Sequence, residues 1–436
     1  MPSNEWHSLS VGECLKTAFA GEWGADPAPA SAVVLRATDI DDEGHVVGTG
    51  APRAIPHAKL RAKRLLQGDV LLEGSGGGPD KPVGRVALFD ADAHAEPAVC
   101  SNFFKTLRPN PTVVDSRFLW RKLHWLYRQP ALLAMQQQTT GIINLKFSEY
   151  LRTPIQVPQD LQEQARIATV LDTLDTTIRQ TEAIIEKLKQ VKQGLLHDLL
   201  TRGIDANGEL RPPQNEAPHL YTASALGWIP KEWKPVELDE LVDQRRPVAY
   251  GILMPGQRCE GGVPVVKVKD IIDGRILVDQ LLLTSPAIDY EYRRSRLKAG
   301  DLLFTIRGSV GRTAFVPAQL ENANITQDTA RICISGIDAR FVREYLSMPP
   351  AARFVATNTL GVAVQGINLR DVRRIPIAAP PSAEAACIAD MLDAHRVRLD
   401  AETSHLDKLR LLKTGLTDDL LSGRVRVTPL LPHTPA

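Results

Sequence analysis

KLKQVKQGLLHDLL (residues 187–200) and KLRLLKTGLTDDLL (residues 408–421) stand 221 residues apart in a chain of 436. Their Lys-Leu, Lys-x-Gly-Leu and Asp-Leu-Leu pieces fall in register. The match extends upstream. Ile167, Leu171, Leu174, Ile178, Thr181, Ile185, Leu188, Lys192, Leu195 and Leu199 are spaced alternately by four and three. Adding 221 gives Ile388, Leu392, His395, Leu399, Glu402, Leu406, Leu409, Lys413, Leu416 and Leu420 with the same steps. Such spacing is the seam of a coiled coil, and self-similarity at a fixed period marks a unit written twice. Proline-free helices are predicted over about residues 162–201 and 383–421, each roughly 60 Å long at 1.5 Å per residue.

Each helix carries one apolar stripe and must bury it. An antiparallel pair within the chain is the simplest solution, with Leu171, Leu174, Ile178, Ile185, Leu188 and Leu195 facing Leu392, Leu399, Leu406, Leu409 and Leu416. Dimerisation between two chains is the alternative. Polar seam residues lower stability but fix register. Gly194 and Gly415 occupy equivalent interior positions, where glycine costs about 1 kcal/mol relative to alanine. A kink or a close backbone approach is expected there, against inheritance without present use.

The repeat reaches into the segments before the helices. TTGIINL (139–145) faces TLGVAVQGINL (359–369), GDVLLEGSGGG (68–78) and GRVALF (84–89) face GDLLFTIRGSVGRTAFV (300–316), and Glu5-Trp6 echoes Glu232-Trp233. AVVLRA, DVLLEG, PVVKVKD, RILVDQLLL, DLLFTI and TARICIS are β-rich runs between Gly, Pro and Asp turns. Shorter helices are expected at 116–129 and 337–348. The fold class is α+β: two globular domains with curved sheets, each followed by a long helix, the helices pairing about a pseudo-twofold axis. The boundaries read 1–158 and 227–381 for the domains, 159–204 and 382–424 for the helices, 205–226 for a polar, proline-containing linker and 425–436 for a tail.

Composition narrows function. Net charge is +1, so nucleic-acid binding rests on local patches. Five scattered cysteines with no CxxC pair argue against a disulfide framework or a zinc site. The first residues lack a signal-peptide core, and no apolar run approaches membrane-spanning length. A cytoplasmic protein is expected. GSGGGPDK (74–81) lacks the GxxxxGK[ST] pattern of a phosphate loop, and no HExxH, GxSxG or Cys–His cluster occurs. No catalytic constellation and no metal site are expected.

A basic cluster precedes the Gly-Asp-strand element in each half. The first half has Lys59, Arg61, Lys63, Arg64, Lys81, Arg85, Lys105 and Arg108. The second has Arg245, Arg246, Lys267, Lys269, Arg293, Arg294, Arg296, Lys298, Arg307 and Arg312. Such groups suit phosphate contacts. Gln136, Gln137, Gln138 and Thr139 before one Gly-rich turn, and Thr357 and Asn358 before the other, suit base edges. The candidate DNA contacts are Lys63, Arg64, Lys81, Arg85, Gln138, Thr139, Arg294, Arg296, Arg307, Ser309, Arg312, Thr357, Asn358 and Gln365.

GDLLFTIRGSVGRTAFV, NITQDTARI, INLRDVRRIPI, GWIPKEW and the first long helix together resemble the specificity subunits of type I restriction-modification systems. The resemblance covers nearly the whole chain. It implies two target recognition domains, each reading one half of a split double-stranded DNA target. The helices would act as a spacer and a platform for two methyltransferase subunits, with restriction subunits joining outside. It further implies a non-catalytic chain, with S-adenosylmethionine, ATP and Mg²⁺ on those partners. Two departures stand out: GSGGG replaces GSVG in the first half, and PPSAEAACIA lacks the glutamine of LQEQARIA. Two other classes compete. A fused methyltransferase-nuclease would need a cofactor loop and an Asn-Pro-Pro or acidic motif, which are missing from the sequence. A coiled-coil scaffold without a DNA role would have basic clusters that ignore salt.

Overall fold

The computed structural model describes residues 6–26, 29, 31–76, 82–93, 97–139, 142–361 and 365–427, with the side chains of Gln138 and Thr139 outside that description. The chain forms two compact units, residues 1–183 with 404–436 (unit 1) and residues 184–403 (unit 2).

Unit 1 is organised around Val70–Glu73 (β2), whose four residues are all buried. β2 lies between Val86–Leu88 (β3) and Phe104–Pro109 (β4), and Leu15–Ala20 (β1) pairs with the other edge of β4. The antiparallel order is β1-β4-β2-β3. A strand apolar on both faces needs cover on both. One cover is helix α1 (Ser116–Tyr127), which begins at an Asp115 cap bonded to the amides of Arg117 and Phe118 and buries Phe118, Leu119 and Leu123. The core beneath it runs on into Ile167, Ala168 and Leu171 of the first long helix and Leu420 and Leu421 of the second.

Unit 2 repeats the plan. Leu302–Thr305 (β6) and Thr329–Ile332 (β8) are wholly buried. With Ala249–Tyr250 (β5) and Thr313–Phe315 (β7) they form a four-stranded sheet of order β5-β8-β6-β7. Helices Ala339–Tyr345 (α3) and Pro349–Asn358 (α4) follow. The core joins Phe304, Phe341 and Tyr345 to Leu199, Leu200, Ile388 and Leu392. Smaller sheets complete each unit.

The long helices are α2 (Leu161–Thr201) and α5 (Ser382–Ser422). In unit 1, Lys413 bonds to Asp175 at 2.6 Å and Arg410 to Glu182 at 2.8 Å. In unit 2, His395 Nε2 lies 2.8 Å from the Leu188 carbonyl and the Ile204 amide donates to Glu384 at 2.9 Å. Numbers rise along one helix as they fall along the other, so the pairing in each unit is antiparallel. Leu171, Leu174, Ile178, Ile185, Leu188, Leu392, Leu406 and Leu409 are buried, and Leu195, Leu399 and Leu416 half-buried. The expected fold class is borne out. The polar seam positions are also accommodated: Thr181 donates to the Thr177 carbonyl within its own helix, and Lys413 and His395 bond across.

Four details differ from the sequence reading. Gly194 and Gly415 are exposed, and a Cβ built on either meets nothing within 4 Å. Among the described residues, nothing makes a close approach there. Residues 205–226 are folded into unit 2: Arg211 is buried against Glu384 and Glu232, and Tyr221–Ser224 pairs with Gly227–Pro230. RILVDQLLL is two strands, because Gln280 turns the chain at φ 68°. Arg275–Ile276 pairs with Ile271–Ile272, and Leu282–Thr284 with Val263–Val266. The helix expected at 337–348 spans only Ala339–Tyr345. Among the described residues no helix is long and apolar enough to cross a membrane.

Candidate nucleic-acid interface

The Gly-Asp-strand element is built the same way twice. Gly68 and Gly300 take positive φ of 83° and 85°, a region that favours glycine, and turn the chain into β2 and β6. The aspartates that follow are buried. Asp69 accepts the Leu66 amide at 2.8 Å and is held by Arg108 Nε and Nη2 at 2.9 and 2.8 Å. Asp301 accepts the Lys298 amide at 2.8 Å and is held by Arg246 through two bonds of 2.7 Å. Bidentate pairing of this kind satisfies a buried carboxylate. The carboxylates beside Arg108 and Arg246 raise both guanidinium pKa values.

That geometry sorts the basic clusters. Arg108 and Arg246, expected to face phosphates, are spent inside the domains. Arg85 is spent as well: it is bonded to Glu73 at 3.0 and 3.2 Å, to the carbonyls of Ala37 and Ile40, and lies 3.7 Å from Asp42. It holds the edge of β2. Lys63 donates to the Gly21 carbonyl and to Glu22. Arg296 is paired with Asp289, whose carboxylate raises its pKa. The Gln136 amide is bonded both ways to the Val83 backbone, at 2.9 and 2.8 Å, so it does not present a free edge. Lys81 and the side chains of Gln138 and Thr139 lie outside the described residues.

The remaining candidates are outward. Arg64, Arg294, Arg307, Ser309, Arg312, Thr357 and Gln365 are exposed. Asn358 is half-buried and donates to the Phe354 carbonyl. Four of these share one edge of unit 2. The β6–β7 connection carries Arg307, Ser309 and Arg312. Its Gly308 amide donates to the Gln365 carbonyl at 2.9 Å, and Ile367 donates back to Ile306 at 2.9 Å. Arg307 and Gly366 form an antiparallel bridge. Thr305 Oγ1 donates to the Ser309 carbonyl at 2.5 Å, which closes the turn. The result is a cationic loop edge in which backbone bonds leave the Arg307 and Ser309 side chains outside, while Arg312 Nη1 donates to the Ile271 carbonyl at 3.1 Å. In unit 1 the counterpart is a three-stranded sheet in which Ile142–Leu145 pairs with Gln136–Thr139 and with Ser75–Gly76.

A second repeated constellation escaped the sequence reading. Arg117 reaches Asp172 on α2 at 3.2 Å, and Arg340 reaches Asp393 on α5 at 3.0 Å. Each ties a domain helix to the long helix that follows it. Trp6 stands edge-on to Phe118 at 6.3 Å, and Trp233 to Phe341 at 5.8 Å. The rings pack against the sites of Gly423 and Gly203, both at positive φ. The signal was present: DSRFL (115–119) and DARFV (338–342) keep the Asp cap, the Arg and the Phe in the same order.

Comparison with known proteins bears on these features. Residues 59–190 match the family described as the type I restriction modification DNA specificity domain. This stretch holds the Gly-Asp element, the Asp115 cap, Arg117 and most of α2. The chain is 24% identical over 380 residues to the type I restriction enzyme EcoBI specificity subunit of Escherichia coli, covering 84% of this chain and 79% of that one. It is also 24% identical over 405 residues to the putative MjaX specificity subunit of Methanocaldococcus jannaschii, covering 89% and 86%. Two solved structures share the fold. The type I S subunit from M. genitalium aligns at TM-score 0.54 and 16% identity over 97% of both chains. A chain from a study of type I complex assembly and conformational transition aligns at 0.53 and 18% over 98% and 99%. The resemblance drawn from the sequence is borne out.

Proposed function

We propose that this chain is the DNA-recognition subunit of a type I restriction-modification assembly. The observation that carries the reading is the duplicated joint, with one domain fixed to its long helix by Arg117–Asp172 and the other by Arg340–Asp393, in a chain matching the specificity domain. A protein built as two similar readers suits a target with two separated halves. Each unit reads one half, and α2 and α5 set the spacing. The chain itself is non-catalytic and works in the cytoplasm. Two methyltransferase subunits dock on the helices and restriction subunits join outside. S-adenosylmethionine, ATP and Mg²⁺ belong to those partners.

The test is genome-wide adenine methylation in a methylation-free host, with this chain and its neighbouring methyltransferase expressed together and separately. A split motif with a fixed gap, present only when both are expressed, is the expected result. No new motif despite a stable complex would overturn the reading. Lengthening α2 and α5 by matched whole turns should widen the gap and leave the half-sites unchanged.

A further inference from the structure

Three loops of unit 2 meet at one edge, and each brings something different. The first carries Leu253 and Met254, 55% and 79% exposed. The second is the β6–β7 connection with Arg307. The third consists of the segments on either side of residues 362–364, which lie outside the described residues, and carries Leu360, 72% exposed, and Gln365. Scattered exposed leucines need no explanation. These are not scattered, because backbone bonds fix the loops side by side. The Gln327 amide N–H donates to the Ile252 carbonyl at 3.0 Å, and the Asp328 carbonyl accepts from Ile306 at 2.8 Å and Arg307 at 3.2 Å. Gly308 donates to Gln365, and Leu360 and Gly366 exchange two bonds of 2.8 Å. The Gln327 side-chain nitrogen faces the carbonyls of Ile252 and Leu253 at 2.8 and 3.2 Å and braces the base of the first loop.

At about 4.8 Å per paired strand, the edge from residue 252 to residue 360 spans roughly 20 Å. That is about six base steps at 3.4 Å. Apolar side chains therefore stand at both ends of a hydrogen-bonded strip with the exposed Arg307 between them. Burying such side chains against a neutral protein would strand the arginine. A polyanion with stacked apolar faces satisfies both.

We propose that Leu253, Met254 and Leu360 are wedges that enter between base pairs of the half-site read by unit 2, while Arg307 holds the adjoining phosphate. Long, unbranched or γ-branched side chains held out from a hydrogen-bonded edge are suited to unstacking a base step. The inference rests on the DNA-recognition reading. It adds that part of the specificity of unit 2 comes from how readily a base step opens.

The test uses the full chain assembled with its methyltransferase subunits. The probes are a duplex carrying the mapped target and a mixed-sequence duplex of equal length. 2-Aminopurine is placed at successive positions of the unit 2 half-site. The wild-type complex should raise fluorescence at one or two steps. The double variant Leu253→Ala/Met254→Ala, and separately Leu360→Ala, should lose that rise and bind the target about tenfold more weakly. Their salt dependence should stay unchanged, whereas Arg307→Ala should make the salt slope shallower by about one. Unchanged affinity and fluorescence in the leucine and methionine variants would overturn the wedge. So would sensitivity to thymine-to-uracil replacement without any fluorescence rise, which indicates methyl contact. Failure of these variants to assemble with the methyltransferase would assign the strip to a protein partner and overturn it too. A wild-type complex that does not prefer the target over the mixed duplex would overturn the recognition reading itself, and the wedge with it.

Discussion

In unit 2 the Glu384 carboxylate, at the start of α5, collects four donors. They are Arg211 Nη1 and Nη2 at 2.5 and 3.1 Å, the Ile204 amide at 2.9 Å and Trp233 Nε1 at 3.1 Å. In unit 1 the equivalent Glu163, at the start of α2, is held by Arg426 through bonds of 2.6 Å. Among the described residues, Trp6 Nε1 has no hydrogen-bond partner there. Unit 1 instead gathers cations: Lys122 is buried over the Trp6 and Trp125 rings and donates to the Leu421 carbonyl. Arg121 bonds to Asp172 and Asp175. The contrast shows what duplication preserved. The Trp, Gly and Glu that seat the end of one long helix beside the start of the other recur, while the groups surrounding them have diverged.

The contrast is sharpest at Glu384. Glu384→Ala leaves the Trp233 indole N–H without its partner and the buried Arg211 with only Glu232 and the Arg202 carbonyl, a loss of the order of 3 kcal/mol. Glu163→Ala removes a pair whose arginine is partly exposed, and should cost about half as much. Denaturant unfolding of the two variants measures the difference. Equal losses would mean that the four-donor cluster contributes no more than the simple pair.

Acid should separate the units next. Burial, with help from nearby Arg128, Arg121, Lys413 and His45, lowers the His124 pKa to about 4. Unit 2 has Ser347 at the matching place. The folded state therefore holds the neutral imidazole. Its contribution is intact above pH 6.5 and is lost as pH falls from 6.5 toward 4, up to about 3 kcal/mol. His124→Gln should flatten that limb of a stability–pH profile. At the alkaline end, burial alone lowers Lys122 to about 8. The penalty for its charge is present below pH 8 and lifts as pH rises toward 10.5, so unit 1 should gain stability over that window. Lys122→Met should abolish the gain. A profile unchanged by either substitution would remove that group from the account.

The smallest effect probes what the two halves share. Gly194→Ala and Gly415→Ala each enter open space and should stabilise the free chain by about 0.5–1 kcal/mol. If the proposed methyltransferase subunits rest their backbones on these positions, both variants should weaken assembly while raising the unfolding midpoint. Unaltered assembly would leave the glycines as inheritance.

The sequence by itself determined the duplication, the two long helices and their seam, because burying an apolar stripe obliges the same spacing in any copy. It also placed the Gly-Asp strands and the loop bearing Arg307, since a glycine at positive φ followed by a fully apolar run admits few alternatives. Only the tertiary structure decided which charges are free. Arg108 and Arg307 look alike in a string of residues. One is paired with Asp69, 39 positions away, and the other faces water at a loop edge. The same holds for residues 205–226, whose polar composition suggests solvent but whose Arg211 completes a buried cluster with Glu384. Local pattern reports which residues can be exposed. Long-range pairing decides which are, because a buried carboxylate takes up whichever guanidinium the fold brings to it.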